Sequence, residues 1–294
     1  MTRRNVLMSA AGAGFAAPAN GNAAAPQSYV TTSSGVSLFY RDWGTGKPVL
    51  FLHGWSMSSD FWQYQMFHLA AHGYRSIAYD RRGHGKSSDP GRGYDTESLA
   101  ADLLAVIEKL NLRDVTLVGH SMAGGELIRY LTRYGSARIS KLVLVGATTP
   151  FSLQTADNPN AVPREMFDRT RAAWLQDFPK WLADNAGPFF TPETSAATVD
   201  WAIRMSLQTS LQAVMEVNLH SIETDVREEA RKVTVPTLII HGDRDVSAPL
   251  DLTARRTAEL IRGSRLKIYE GAPHGLPVTH KDRLNADLLE FLRA

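Results

Sequence analysis

Gly119-His120-Ser121-Met122-Ala123-Gly124-Gly125 is the most informative segment of the sequence for predicting the fold. It lies between a predicted buried strand at residues 115–118 and a predicted helix at residues 122–134. Small residues flank the serine, which allows strand and helix to approach each other closely. A serine in such a sharp strand-to-helix turn is held in the open, where it can act as a nucleophile. The stretch therefore predicts an α/β fold with a candidate nucleophile at Ser121.

The chain on both sides of this turn alternates predicted strands with predicted helices. We expect strands at residues 37–43, 49–52, 75–79, 115–118, 139–145, 237–240 and 266–269. We expect helices at residues 61–71, 96–110, 122–134, 252–260 and 280–292. This alternation indicates a mostly parallel sheet with helices on its faces.

The alternation stops between residues 147 and 229, where helical patches are broken by prolines at 150, 159, 163, 179, 188 and 192. We interpret this segment as a helical cap inserted into a core made of residues 26–146 and 230–294. The segment is rich in aromatic residues, which either pack internally or roof a pocket. The candidate pocket residues are Trp174, Trp181 and Phe189.

Composition excludes several kinds of function. Of 294 residues, 32 are Lys or Arg and 30 are Asp or Glu, and they do not form the clustered basic pattern of a nucleic-acid-binding protein. The chain has no cysteine, which excludes disulfides, thiolate metal sites and a cysteine nucleophile. Residues 80–87 are charged and glycine-rich but lack the spacing of a phosphate-binding loop, so we interpret them as a structural turn. No cofactor and no metal site is predicted.

The first 25 residues are not expected to belong to the fold. Arg3 and Arg4 precede a weakly apolar stretch and then small residues, an order typical of a twin-arginine export signal. A periplasmic or secreted protein is the favoured interpretation, and an alanine-rich tail on a cytoplasmic protein is the alternative. No later segment has the 18 or more apolar residues typical of a membrane span, so no membrane association is predicted.

A serine hydroxyl is unreactive at neutral pH until a base takes its proton, so Ser121 needs a histidine and a carboxylate. In strand-turn-helix sites of this kind the acid and then the histidine follow on loops after late strands. His274 lies on the last loop before the final predicted helix and is the candidate base. Asp243 and Asp245 are both candidates for the acid, and Asp243 is the better suited to bond the turn backbone.

Negative charge that develops on a tetrahedral intermediate needs two backbone N–H donors. Met122, the residue after the candidate nucleophile, is expected to supply one of them. Trp55, in the loop after the strand at residues 49–52, is expected to supply the other. Gly54 permits that loop to turn tightly.

Several motifs make the chain, from residue 29 to its end, resemble the cofactor-free haloperoxidase and aryl esterase branch of the α/β-hydrolases. The stretches that carry the resemblance are Arg41-Asp42-Trp43-Gly44, Leu52-His53-Gly54-Trp55, Tyr79-Asp80-Arg81-Arg82-Gly83, Gly119-His120-Ser121-Met122 and Gly271-Ala272-Pro273-His274-Gly275.

The resemblance implies an eight-stranded sheet, a metal-free triad of Ser121, Asp245 and His274, and donors at Trp55 and Met122. It also implies a helical cap over an apolar pocket and frequently a homo-oligomer. The chain departs from the family at Ala123, which is usually glycine, and at Ser56, where members noted for peracid formation usually carry proline.

Hydrolysis of small or aryl carboxylic esters is the leading hypothesis. The same triad also serves a cofactor-free haloperoxidase or perhydrolase, which uses hydrogen peroxide as acyl acceptor, and a lactone or cyclic amide hydrolase. From a different class, a protein that keeps this fold and binds a ligand without turnover is a further alternative.

Overall fold

The computed structural model describes residues 28–294, which form one eight-stranded sheet with the strand order β1-β2-β4-β3-β5-β6-β7-β8. The strands are β1 (Tyr29–Thr31), β2 (Ser37–Trp43), β3 (Lys47–Leu52), β4 (Tyr74–Tyr79), β5 (Val115–His120), β6 (Ile139–Val145), β7 (Thr237–Gly242) and β8 (Arg265–Tyr269). Strands β3 to β8 pair in parallel, whereas β2 is antiparallel to β4 and β1 is antiparallel to β2. The fold class predicted from the sequence, an α/β-hydrolase fold, is confirmed.

The helices of the described residues lie on both faces of this sheet and in the segment between β6 and β7. They are α1 (Gln63–Ala71), α2 (Thr96–Lys109), α3 (Ala123–Tyr134), α4 (Arg164–Asn185), α5 (Ala196–Ser206), α6 (Leu211–Glu223), α7 (Arg227–Ala230), α8 (Ala254–Leu260), α9 (Leu276–Thr279) and α10 (Lys281–Arg293). Short 3₁₀ turns occupy Ser59–Trp62 and Gly187–Phe189. No helix within residues 28–294 is both long and apolar enough to cross a membrane.

The two largest apolar clusters of the described residues lie on opposite faces of the sheet. Successive side chains of a strand point to opposite faces. Leu50 and Leu52 of β3 accordingly pack in one cluster with α2 and α3, whereas Val49 and Phe51 pack in the other with α1 and α10. The central strands are buried along their length because helices cover both of their faces.

The predicted elements differ from the observed ones mainly at their ends. Strand β1 has three residues, too few for an alternating pattern to reveal it. The predicted break at Pro179 is confirmed, because α4 consists of two helical stretches that meet at Asp177, whose φ of −162° and ψ of 86° are extended. The predicted export signal, residues 1–25, lies outside the described residues.

Candidate active site

Ser121 occupies the turn between the end of β5 and the start of α3. Its φ of +58° is rare for a residue with a side chain, and this left-handed geometry turns the chain sharply between strand and helix. The turn is held by a hydrogen bond from the Ser121 N–H to Val145 O at 3.0 Å. A Cβ at Gly119 would lie 2.6 Å from Leu127 Cδ1, so the close approach of β5 and α3 requires glycine there.

His274 and Asp245 lie next to Ser121, and together the three side chains form a continuous chain of contacts. His274 Nε2 is 2.9 Å from Ser121 Oγ, and His274 Nδ1 is 2.7 Å from Asp245 Oδ2. All three residues are about 5% exposed. Asp243 instead points outward, where its carboxylate accepts a hydrogen bond from the Gly271 N–H at 2.8 Å. Asp245 is therefore the carboxylate that orients His274.

The Asp245 carboxylate is held in its ionised form. One oxygen accepts hydrogen bonds from the Ser247 and Ala248 N–H groups at 3.0 and 2.8 Å. Burial by itself raises the pKa of Asp245, but the charge and hydrogen bond of His274 and the neighbouring His241 outweigh it, and the pKa lies below its usual value. An ionised Asp245 keeps the proton of His274 on Nδ1, which leaves Nε2 as an acceptor facing Ser121.

Two further buried histidines, not predicted from the sequence, support this chain of contacts. His241 Nε2 lies 2.6 Å from Ala248 O and 3.3 Å from Asp245 Oδ2. His120 Nε2 lies 2.9 Å from His274 O and therefore carries a proton, because a carbonyl only accepts. The sequence feature that could have indicated these two histidines is their position next to the candidate motifs. His120 directly precedes Ser121, and His241 follows the apolar run of β7.

His120 is expected to make the protein sensitive to acid. Burial, and then the charge of His274, lower the pKa of His120 to about 3, below its value in an unfolded chain. Between about pH 4 and pH 6 the unfolded state therefore binds more protons than the folded state, and the free energy of unfolding falls as the pH is lowered.

We expect His120→Gln, which keeps a side-chain N–H but cannot titrate, to reduce the pH slope of the unfolding free energy by about 1.4 kcal/mol per pH unit in that window. Urea unfolding of both proteins across the window measures the slope. Equal slopes would show that His120 is protonated to the same extent in both states.

The two predicted backbone donors border the same cavity as Ser121. Met122 is the residue before α3, and Trp55 lies in the loop after β3. Within residues 28–294 neither N–H donates a hydrogen bond to a protein acceptor. The indole of Trp55 is fixed by its Nε1–H bond to Val214 O at 2.9 Å. A Cβ at Gly54 would lie 2.7 Å from His120 Nδ1, so glycine is required for the Trp55 loop to pack against the Ser121 turn.

A cavity of about 300 Å³ opens above Ser121 between the sheet and the segment of residues 147–229, and the predicted pocket residues Trp174, Trp181 and Phe189 all line it. None of its described lining residues is Asp, Glu, Lys or Arg. Such a cavity favours an uncharged and largely apolar ligand, because a charged group would lose its hydration without finding a partner. Within residues 28–294 no group of three or more His, Asp or Glu side chains is arranged to hold a metal ion.

Phe189 connects this segment directly to the loop of His274. The Phe189 carbonyl accepts a hydrogen bond from the Gly275 N–H at 2.9 Å, and its ring centroid lies 5.6 Å from that of His274. A Cβ at Gly275 would lie 2.3 Å from Phe189 O and 2.7 Å from its ring, although the Gly275 backbone has a φ of −77° that any residue can adopt.

We therefore expect Gly275→Ala to destabilise the protein by about 1–3 kcal/mol through overpacking, and to lower kcat/KM because Phe189 must move away from His274. The matched control is Gly187→Ala, since a Cβ at Gly187 meets nothing within 4 Å. Thermal unfolding and esterase assays compare the two variants. Equal effects would contradict a specific contact at Gly275.

Comparison with known proteins agrees with this architecture. A family model described as alpha/beta hydrolase fold matches residues 47–281. A non-heme haloperoxidase of Rhodococcus erythropolis is 42% identical over 272 residues, covering 90% of this chain and 99% of the relative. A bifunctional esterase/perhydrolase of Acinetobacter calcoaceticus is 37% identical over 280 residues, with 90% and 99% covered. The structure of an esterase from Exiguobacterium antarcticum superposes with a TM-score of 0.88 at 32% identity, covering 91% of this chain and 99% of that one.

Ser121 lies at the turn after β5 of a mostly parallel sheet, and His274 reaches it from the loop after β8. This arrangement is typical of hydrolases. The chain belongs to the α/β-hydrolase superfamily, in its haloperoxidase and esterase branch.

Proposed function

We propose that this protein is a serine carboxylesterase that hydrolyses small or aryl esters. The observation that carries the proposal is the chain of contacts from Ser121 through His274 to Asp245, placed at a cavity whose described lining residues are uncharged. The 37% identical esterase/perhydrolase and the structurally similar esterase support it.

In the acylation step His274 Nε2 takes the Ser121 proton while Ser121 Oγ attacks the ester carbonyl. Asp245 stabilises the imidazolium that forms, and the N–H groups of Trp55 and Met122 donate to the oxyanion. The tetrahedral intermediate then expels the alcohol, which receives its proton from His274. The product of this half-reaction is an acyl group on Ser121.

In the deacylation step water attacks the acyl carbonyl and gives one proton to His274 Nε2. Collapse of the second intermediate breaks the bond to Ser121 Oγ, which regains the proton from His274. The carboxylic acid leaves and the enzyme returns to its starting state. Neither step needs a metal or a cofactor.

The backbone at Ser56 supports water over hydrogen peroxide as acyl acceptor. The resemblance to the haloperoxidase and aryl esterase branch implies that members noted for peracid formation usually carry proline at this position. Here its φ is +55°, whereas proline is restricted to about −65°. Thr209 Oγ further fixes the Ser56 carbonyl with a hydrogen bond of 3.0 Å. The Trp55 loop is thus built on a conformation that proline cannot adopt.

A haloperoxidase or perhydrolase is the second candidate function, because the 42% identical relative is a non-heme haloperoxidase. It uses the same three residues, with peroxide in the place of water during deacylation. A lactone or cyclic amide hydrolase would share the acylation step as well, and differs only in the substrate.

The experiment that tests the proposal measures p-nitrophenyl acetate and butyrate hydrolysis by wild type and Ser121→Ala, with and without peroxide and bromide. The proposal predicts Ser121-dependent ester cleavage with little bromination. Bromination that dominates in the presence of peroxide would favour the second candidate. Absence of cleavage, together with no labelling by a fluorophosphonate, would favour a binding protein without an activated serine.

A further inference from the structure

The part of segment 147–229 that faces the cavity carries polar groups in an otherwise apolar wall. Trp174 on α4 and Asn218 on α6 both line the cavity. Arg171 lies one helical turn before Trp174, and its guanidinium donates to Asn218 Oδ1 at 2.9 Å. Helices α4 and α6 are therefore joined beside the cavity by a partly buried polar contact.

Arg171 fixes the orientation of the Asn218 amide. Arginine only donates hydrogen bonds, so the amide oxygen must face it and the NH₂ group must point the other way. Arg171 is itself 8% exposed and pairs with Asp168 on its own helix, which holds the guanidinium in place. Within residues 28–294 no protein acceptor is recorded for the Asn218 NH₂ group.

Trp174 forms a rigid part of the same cavity wall. The residue is 3% exposed, and its Nε1 is buried without a hydrogen-bond partner among the described residues. Its ring is fixed by stacking on Trp55, with centroids 4.3 Å apart. Because the Nε1 atom is covered by protein, Trp174 contributes a rigid ring to the cavity wall and not a hydrogen bond to a ligand.

We propose that Asn218, oriented by Arg171, is a specificity-determining residue that selects uncharged esters carrying a second acceptor oxygen, such as a ketone, in the acyl chain. The inference rests on the proposed esterase function. The Asn218 NH₂ group can only donate, which favours a carbonyl or ether oxygen as its partner in the ligand. The uncharged wall disfavours a carboxylate, which would be buried without a cationic partner in contact.

The test compares p-nitrophenyl levulinate with p-nitrophenyl isocaproate, in which a CH–CH₃ replaces the ketone C=O, and the same pair one methylene longer. The quantity measured is the kcat/KM for the ketone ester divided by the kcat/KM for the hydrocarbon ester. This ratio is then divided by the ratio of the two esters' rates of alkaline hydrolysis, which corrects for their different chemical reactivity. Wild type is expected to prefer at least one ketone by about three- to tenfold, as one neutral hydrogen bond provides.

Two variants remove the donor in different ways. Asn218→Leu has similar size and no polar group, and the preference is expected to fall to about one, as the loss of one neutral hydrogen bond predicts. Asn218→Asp keeps an oxygen facing Arg171 but presents a second oxygen to the cavity, and the preference is expected to reverse. The matched control is Asn185→Leu, which makes the same change at a second asparagine of the cavity lining, one whose NH₂ group donates a hydrogen bond to Trp181 O at 2.8 Å and which has no arginine bound to its oxygen among the described residues. Its ketone preference is expected to match that of wild type.

A binding measurement separates this inference from the proposed function. Calorimetric titration of Ser121→Ala with methyl levulinate and methyl isocaproate measures binding without turnover. When Asn218→Leu is added to Ser121→Ala, the ratio of the two affinities is expected to change as the kinetic ratio does. A ratio that is the same in Asn218→Leu as in its parent, in both assays, would overturn the inference. If wild type does not hydrolyse these esters, but Ser121→Ala binds methyl levulinate more tightly than methyl isocaproate and Asn218→Leu removes that difference, only the esterase function is overturned.

Discussion

Ser121→Ala is expected to lower kcat for p-nitrophenyl acetate by about 10⁶-fold, the loss seen when the nucleophile is removed from other serine hydrolases. The reason is that His274 and the Trp55 and Met122 amides have no alkoxide to stabilise once Oγ is absent. The variant is expected to fold normally, because within residues 28–294 Ser121 Oγ hydrogen-bonds only His274, and the turn is held by backbone hydrogen bonds. Hydrolysis is followed at the absorbance of p-nitrophenolate, with circular dichroism to verify folding.

Ser140→Ala is the control for this substitution, since Ser140 lies on β6 and its hydroxyl, among the described residues, donates only to the Asp114 carbonyl. It is expected to keep wild-type kcat. If Ser121→Ala keeps more than about one hundredth of the wild-type rate while remaining folded, water or another nucleophile attacks the ester and the acyl-enzyme pathway is wrong.

Asp245→Asn is expected to lower kcat by about 10⁴-fold with little change in KM. An amide NH₂ facing His274 would favour the tautomer with its proton on Nε2, and that imidazole cannot accept the proton of Ser121. The loss of charge also removes the stabilisation of the imidazolium. The measurement is steady-state hydrolysis of p-nitrophenyl butyrate across the pH range where wild type is active.

Asp243→Asn is the matched control, because the two carboxylates lie on one loop and only Asp245 contacts His274. Its kcat is expected to stay near the wild-type value, with a modest loss of stability from the weakened bond to the Gly271 N–H. Comparable losses in both variants would contradict the assignment of separate roles to the two residues.

The parts of the fold that could be predicted from the sequence are those set by local pattern. Continuous apolar runs marked the central strands, since a strand covered on both faces has no polar side. Ser121 and His274 lie in short motifs at strand ends, and their proximity follows from the parallel sheet. Strand β1 and helix α9 are too short to produce a periodic signal.

The remaining features depend on contacts that local patterns do not record. Asp243 and Asp245 have the same chemistry two residues apart, and only the path of the loop decides which one faces His274. Asn218 and Arg171 lie on separate helices, 47 positions apart in the chain. Nothing in the local sequence distinguishes His241 from other histidines at strand ends, because its contact with Asp245 depends on the path of the loop. The export signal at residues 1–25 and the periplasmic or secreted location stay predictions.

Ser121 is expected to become acylated during ester cleavage. The most direct measurement quenches wild type with acid within milliseconds of mixing with p-nitrophenyl butyrate and maps the acyl group by peptide mass spectrometry. A butyryl group is expected on Ser121 of the wild-type protein and is expected to be absent from the Ser121→Ala protein. Rapid p-nitrophenol release with no acyl group on Ser121, or with the group on another residue, would contradict this expectation.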